Sequence, residues 1–426
     1  MQKTIETNSY TYKPRESESP ARLELGEDAF HGIIGRYVRS MAEITEADPA
    51  ALHGHYLGYF GSIVGGKAYH LIEGRRHYTN LFIALVGESS KGRKGTARAR
   101  VEQVFREAVA EYVDRNVLSG LYSGEGLIHH VRDASPDFDP DDPKSKADQG
   151  VHDKRRLFIE EELASPFYRM RQNGNTLSPV LRNAWDRMVL QTVIKNEPDV
   201  ATGADISVIG HGVKEELVEV LDSKTLRDGL ANRFIWLYSE RAQFIPRPRH
   251  EPHNMDTLVS DLQHALSRVE SEYSDTLVDW DKEAAGLWDE VYPSLSVGAS
   301  GVVGNLTKRA EANTLRIALV YAVMDGSTAI RKEHLLAAIA VWQHSMASIK
   351  RLFGDVMTNP IAHKLSVALT DFPEGMTRSE IHRQFNGHVE AKDLAAAISE
   401  LDSMGRAEEI DVQTNGRTKK VVRIKR

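Results

Sequence analysis

The chain has 426 residues, 41% of them hydrophobic, enough apolar side chains for a large core split over roughly two to four domains. A net charge of −7 excludes a globally basic nucleic-acid coat, so any DNA contact must come from local basic patches. The absence of cysteine excludes disulfides, thiolate metal sites and a cysteine nucleophile, and fits a cytoplasmic setting.

No apolar run approaches the ~20 residues that span a bilayer, so no membrane partner is expected. Residues 1–25 are polar, without an apolar signal core, and read as a flexible leader or an oligomer arm. A helical region is expected over 26–75, with Phe30, Ile33, Ile34, Tyr37, Val38 and Met41 at helical spacing. The run YTNLFIALVG (78–87) ends in glycine ahead of a basic, helix-forming stretch and reads as a buried parallel strand. Further buried strands are Leu157–Ile159, Ile206–Gly210 and Phe234–Tyr238, separated by helical stretches, the α/β pattern of a parallel sheet. A parallel α/β core is thereby placed at 76–240. The Pro/Asp-rich stretch 135–154 is a surface loop. From about 254 to 355 the chain reads as all-helical, as in LRIALVYAVMD and HLLAAIAVWQHS, so that 241–355 forms a helical lid. Over 356–426, three helical segments (361–370, 377–385, 391–404) precede two alternating runs around Asn415-Gly416, a hairpin signal; three helices plus a terminal hairpin is the winged-helix plan.

The strongest motif is Gly87-Glu88-Ser89-Ser90-Lys91-Gly92-Arg93-Lys94-Gly95-Thr96. The phosphate-binding pattern is G-x-x-x-x-G-K-[ST] after a strand and before a helix. Glycines let backbone N–H groups wrap phosphates, and the helix presents its positive end. Here Arg93 is one extra residue and Gly95 stands where the hydroxyl is usual. Lys94 is assigned to the β/γ phosphates of ATP, Thr96 to Mg²⁺, and Gly87, Ser90, Gly92, Arg93 and Gly95 to the cradle. Arg93 in the lysine role is the alternative.

Such a site needs one carboxylate near the magnesium and another to orient water, both at the C-terminal ends of neighbouring strands. Leu157-Phe158-Ile159 runs into three glutamates. Glu160 takes the metal position and Glu161 the catalytic one; the phase among Glu160, Glu161 and Glu162 stays open. His211, ending the third strand, is the candidate γ-phosphate sensor, with a plain polar strand cap as the alternative. Arg233, just before the fourth strand, would point into a neighbouring subunit as an arginine finger, a device worth about 10³–10⁵ in rate. In the helical region Arg309 is chosen as a second arginine facing the nucleotide. Arg316 could equally pair with Glu311 or a core carbonyl.

Together YTNLFIALVGESSKGRKGT, LYSGEGLI, RRLFIEEELAS, GNTLSPVLRNAWD, ATGADISVIGH and GLANRFIW resemble an uncharacterised family of P-loop ATPases found in primase–helicase proteins of plasmids, phages and integrated elements. The resemblance covers roughly 30–355. More distantly, the order of parts is similar to minichromosome maintenance helicases and other helicases of the AAA+ class. This implies a sensor at His211, an Arg-Phe box at Arg233-Phe234 and a DNA-gripping pore hairpin at 190–202 with Lys195 at its tip. It also implies a homo-oligomeric ring, expected to be a hexamer, acting on single-stranded or forked DNA. Glu160 for the usual Asp, His211 for the usual asparagine and the inserted Arg93 are departures. No primase domain is recognisable, so any primer synthesis falls to a separate primase.

Clustered Arg417, Lys419, Lys420 and Arg423, with Lys425 and Arg426, against only Asp411 nearby, make the terminal wing the clearest DNA contact; a solvated basic tail is the bland alternative. The preceding helix carries Asp393, Glu400 and Asp402, which argues for backbone clamping or protein contact rather than major-groove reading. Besides a mobile-element helicase, a nucleotide-regulated DNA-binding or defence switch is the second hypothesis; a small-molecule kinase is a third, opposed by the lid, finger box and wing.

Overall fold

The computed structural model describes residues 21–88, 92–142, 146–191, 199–221, 223–299, 301–357, 359–385, 389–414 and 417–425. Most of the expected leader, Ser90 of the phosphate loop and Lys195 of the expected pore hairpin lie outside the described residues.

Helices α1 (Gly32–Ala42) and α2 (Pro49–Val64) open the fold. The all-helical expectation for 26–75 fails at its end, where β1 (Ala68–Ile72) and β2 (Arg75–Tyr78) form an antiparallel hairpin. Gly65 at φ +56° turns the chain out of α2, a conformation costly to residues with a Cβ. Strand β3 (Phe82–Gly87) leads to α3 (Lys94–Asn116), then β4 (Val117–Leu118), α4 (Gly124–His129) and β5 (Arg155–Glu160). Next come α5 (Ala164–Met170), α6 (Leu177–Trp185), the two-residue ladder of β6 (Leu190–Gln191) and β7 (Val200–Ala201), and β8 (Asp205–Val213). Helices α7 (Lys214–Val220) and α8 (Ser223–Arg227) precede β9 (Phe234–Tyr238).

Strands β4, β5, β8, β3 and β9, in that spatial order, form one all-parallel five-stranded sheet, the frame of a Rossmann-like or P-loop-like core. Both faces are buried, which is why the strands read as unbroken apolar runs. Alternate residues of β3 serve two cores: Ile83 and Leu85 pack with α1, α2 and α3, while Phe82, Ala84 and Val86 pack with α4 to α6. Helix α2 is buried along its length. Its Asp48 side chain caps the Ala50 N–H, and Pro49 occupies the first turn. It lies close on the sheet because Gly54 and Gly58 have no side chains: a Cβ there would come within 2.8 Å of Leu237 and 2.6 Å of Ile209.

The region after β9 is helical as expected: α9 (Met255–Glu272), α10 (Lys282–Ser296), α11 (Gly301–Thr307), α12 (Ala310–Met324) and α13 (Lys332–Phe353). Between them lie only the two-residue strands β10 (Thr276–Leu277), β11 (Asp279–Trp280) and β12 (Ala329–Ile330). Helix α13 closes the outer edge of the sheet, where Ser345 and Ser348 hydroxyls accept the Trp236 and Tyr238 backbone N–H groups at 3.1 and 2.9 Å.

The C-terminal unit has a separate small core of α14 (Pro360–Thr370), α15 (Arg378–Gln384) and α16 (Ala391–Ser403). Against them lies a three-stranded antiparallel sheet of β13 (Met376–Thr377), β15 (Arg417–Ile424) and β14 (Ala407–Thr414), in that order. Among the described residues no helix is long and apolar enough to cross a membrane.

Candidate nucleotide site at the C-terminal edge of the sheet

Gly87 ends β3 and Lys94 is the first residue of α3, a 23-residue helix whose leading N–H groups face the strand ends. The extra residue of the loop is absorbed by a left-handed backbone at Arg93, φ +53°. Its side chain turns away to an ion pair with Glu46 at 2.7 Å. Lys94 instead is buried and folds over the loop, its Nζ 3.6 Å from the place a Cβ on Gly92 would take. A Cβ there would also meet the Ser239 carbonyl at 2.8 Å, so only glycine lets the loop pass the end of β9. Ser239, which sequence patterns gave no reason to select, ties the loop down by donating to the Gly92 carbonyl at 3.0 Å. Gly95 is exposed and Thr96 half-buried in the first turn of α3. Burial holds the Lys94 ammonium below its ordinary value, and Glu161 and Glu216 draw it partly back. A desolvated cation at a helix N-terminus favours an anion.

The three glutamates differ in their contacts. Glu160 turns away from the loop, and its Oε1 accepts the Gly120 and Leu121 backbone N–H groups at 2.6 and 2.8 Å. Glu161, itself exposed, turns towards the end of β8: its Oε2 is 2.8 Å from His211 Nδ1 and its Oε1 accepts from Arg98 at 2.6 Å. The hydrogen bond from His211, more than the Arg98 charge, holds the Glu161 carboxyl at about 2. Glu162 is exposed. Strand β8 lies between β3 and β5, which separates loop and carboxylate strands by roughly 10 Å. His211, near the end of β8, stands between them. Behind His211 lies His55 of α2, with the two Nε2 atoms 3.0 Å apart. No motif pointed to His55; it follows a glycine within a helix apolar on every side, which gave it no distinguishing pattern.

The arginines gather elsewhere. Arg233 precedes β9 and Arg316 contacts Asn80, which precedes β3, so both lie at the N-terminal edge of the sheet, roughly 17 Å of strand from the loop. Trp185 is their common platform: guanidinium carbons of Arg316, Arg309 and Arg233 lie 3.6, 5.0 and 5.3 Å from its ring centre. Arg316 is fully buried and donates to the Asn80 and Trp185 carbonyls, the core-carbonyl alternative rather than Glu311. Burial pushes it down to about 9. Arg233 is buried and pairs with Asp186 at 2.8 Å. Arg309 therefore does not face the Gly87–Thr96 loop, a correction to the expectation above: α12 starts beside Trp185, on the far edge. Burial and the neighbouring Arg233 both lower it.

The terminal hairpin also differs from expectation. Lys420 pairs with Glu409 at 3.7 Å and Arg423 with Glu408 at 2.7 Å, and Glu409 is further held by Arg378 at 2.8 Å. The hairpin register sets Glu408 opposite Arg423 and Asp411 opposite Lys420, so the basic strand meets more than Asp411 alone. Lys419 is exposed; the Arg417 side chain lies outside the described residues.

One further cluster, His31, Asp325 and His334, has the spacing of a metal site. The Arg331 guanidinium already lies 3.3 Å from both Asp325 and His334. His334 Nδ1 accepts the Arg331 N–H at 3.0 Å, so its Nε2 carries the proton and donates to Asp325. The cluster is a capping knot for α13. In comparisons with known proteins, no family model and no curated protein matches the chain.

Proposed function

We propose that the chain is a magnesium-dependent P-loop ATPase whose competent site forms between two copies, and that it acts as a ring motor on DNA. The observation that carries the reading is the convergence at one sheet edge of three groups. Lys94 stands at a helix N-terminus, His211 on the strand beside the loop strand, and Glu161 just past the end of the strand beyond it. Lys94 and the first-turn N–H groups would hold the β and γ phosphates, and Glu161 would orient the attacking water with His211 beside it. Thr96 would hold Mg²⁺ together with Glu160, whose share would fall to Oε2 because Oε1 serves the Gly120 and Leu121 amides. The ion would supply charge neutralisation on the phosphate oxygens.

The second support is the arginine group. Three arginines around Trp185 have one carboxylate among them, Asp186, so positive charge is buried in excess at an edge their own loop cannot use. A neighbour's γ-phosphate is the anion that this edge would complete, with Arg233 and Arg309 donating in trans. The C-terminal unit fits a winged helix that helps hold DNA, and the β6–β7 ladder fits the base of a pore hairpin.

A second reading is a slow nucleotide switch without unwinding. It is favoured by the wing, where Glu408 and Glu409 neutralise much of the basic strand. Sizing and ATPase measurements with and without single-stranded and forked DNA separate the two. The motor reading expects ATP-dependent oligomers, stimulation by single strands and strand displacement; ATP hydrolysis indifferent to DNA would leave the switch.

A further inference from the structure

We propose that His55 is a positioning residue for hydrolysis: one hydrogen bond between its ring and that of His211 fixes which nitrogen of His211 faces Glu161, and so holds the Glu161 carboxylate where it can orient water. The proposal rests on the ATPase reading above.

The argument is a count of protons. His211 Nδ1 lies 2.8 Å from Glu161 Oε2, and a carboxylate only accepts, so Nδ1 carries a proton. A neutral His211 then has a bare lone pair on Nε2. That atom lies 3.0 Å from Nε2 of His55, and only one proton fits between two nitrogens. His55 donates it to a neutral His211 and accepts it from the imidazolium; in both cases the bond fixes the ring. Without that partner, His211 could turn its ring over, and Glu161 would lose the N–H that aligns it.

The surroundings support a role beyond filling space. Both rings are almost completely buried, and they meet edge to face with centres 5.0 Å apart. The Lys94 backbone also acts on the His55 ring through a hydrogen bond, so the ring lies against the start of α3 as well as against His211. The close seat of α2 on the sheet through Gly54 and Gly58 brings the ring to the end of β8. His55 thus reaches the Glu161 pair from a helix that contributes no phosphate-loop or carboxylate motif.

The test compares kcat, KM for ATP, equilibrium ATP affinity and melting temperature for wild type, His55→Phe, His55→Gln and His55→Asn. The Gln amide reaches the place of Nε2, whereas the shorter Asn amide does not. Phe and Asn are expected to lower kcat by about tenfold or more with ATP affinity held within about threefold, and Gln to recover most of the rate. In a Glu161→Gln background, His55→Phe should add little, because both changes remove one function. If Phe impairs folding, the Gln and Asn pair carries the comparison alone. Unchanged kcat in a folded Asn or Phe variant overturns the proposal. So does a Gln variant as slow as Asn, or a rate loss that only follows loss of ATP affinity or melting temperature. A wild-type chain that neither binds nor hydrolyses ATP, indistinguishable from Lys94→Ala, would instead remove the ATPase reading, and this proposal with it.

Discussion

The two ends of the five-stranded sheet carry opposite chemistry. At the C-terminal end a single buried lysine, two histidines and a carboxylate face a gap between strands. At the N-terminal end three arginines crowd one tryptophan with one aspartate between them. At the first end Lys94 and Arg98 lie near Glu161; at the second, among the described residues, Asp186 is the carboxylate paired with the arginine group. On the ATPase reading the two halves are one site, divided so that hydrolysis reports on the presence of a neighbour.

The largest expected effect tests the first end. Lys94→Ala should abolish ATP binding and hydrolysis, a loss of about 100-fold or more, while Arg93→Ala, whose side chain is committed to Glu46, should weaken binding only a few-fold. A more severe Arg93 phenotype, read by equilibrium nucleotide binding, would move the phosphate role by one residue. Glu161→Gln should bind ATP and lose turnover by about 100-fold, and Glu160→Gln should act mainly through the Gly120–Leu121 turn. Equal turnover in the Glu161 variant and wild type would break the assignment.

The division between ends is tested by mixing. Arg233→Ala or Arg309→Ala subunits should bind ATP but hydrolyse it about 10³-fold more slowly. Combined with Lys94→Ala subunits, they should regain part of the activity, because a mixed interface carries an intact pocket and an intact arginine. Arg309 is the cleaner probe, since removing Arg233 also strands Asp186. No recovery in well-formed mixed oligomers would return both arginines to a structural role.

A smaller effect is expected on stability against pH. Glu161 is held at about 2, below its unfolded value near 4.5, so the stabilisation from its partners is fully present above pH ~4.5. It should be lost as pH falls from there towards 2. Melting temperatures over that window should fall less steeply in Glu161→Gln than in wild type. Smallest of all, Lys419→Ala should reduce the salt slope of any DNA binding by about one. An unchanged slope would leave the wing without a phosphate contact at that position.

Much of the fold was legible because buried parallel strands announce themselves as short apolar runs, and Phe234–Tyr238 falls where its run places it. The strand–loop–helix around Lys94 was legible for the same reason. Local pattern could not choose between Glu160 and Glu161, since the choice depends on which way a strand end turns. The edge on which Arg309 lies depends on the path of α12 across the sheet, which periodicity does not encode. The carboxylates facing the wing could have been found: pairing outward from Asn415-Gly416 brings Glu408 opposite Arg423. His55 could not, because nothing within α2 distinguishes a ring that meets a distant strand end from one that only packs.

The hydroxyls of Ser345 and Ser348 on the outer strand have a consequence for how copies can meet. Two main-chain donors of β9 that would recruit a foreign strand are already engaged. At the opposite border, β4 offers only two residues to pair with. The sheet therefore has no long free border onto which a second chain could be stitched by its backbone. A second copy that met this sheet would have to do so through side chains, and the longer border left among the described strands is β14 of the C-terminal sheet, eight residues paired with β15 on one side.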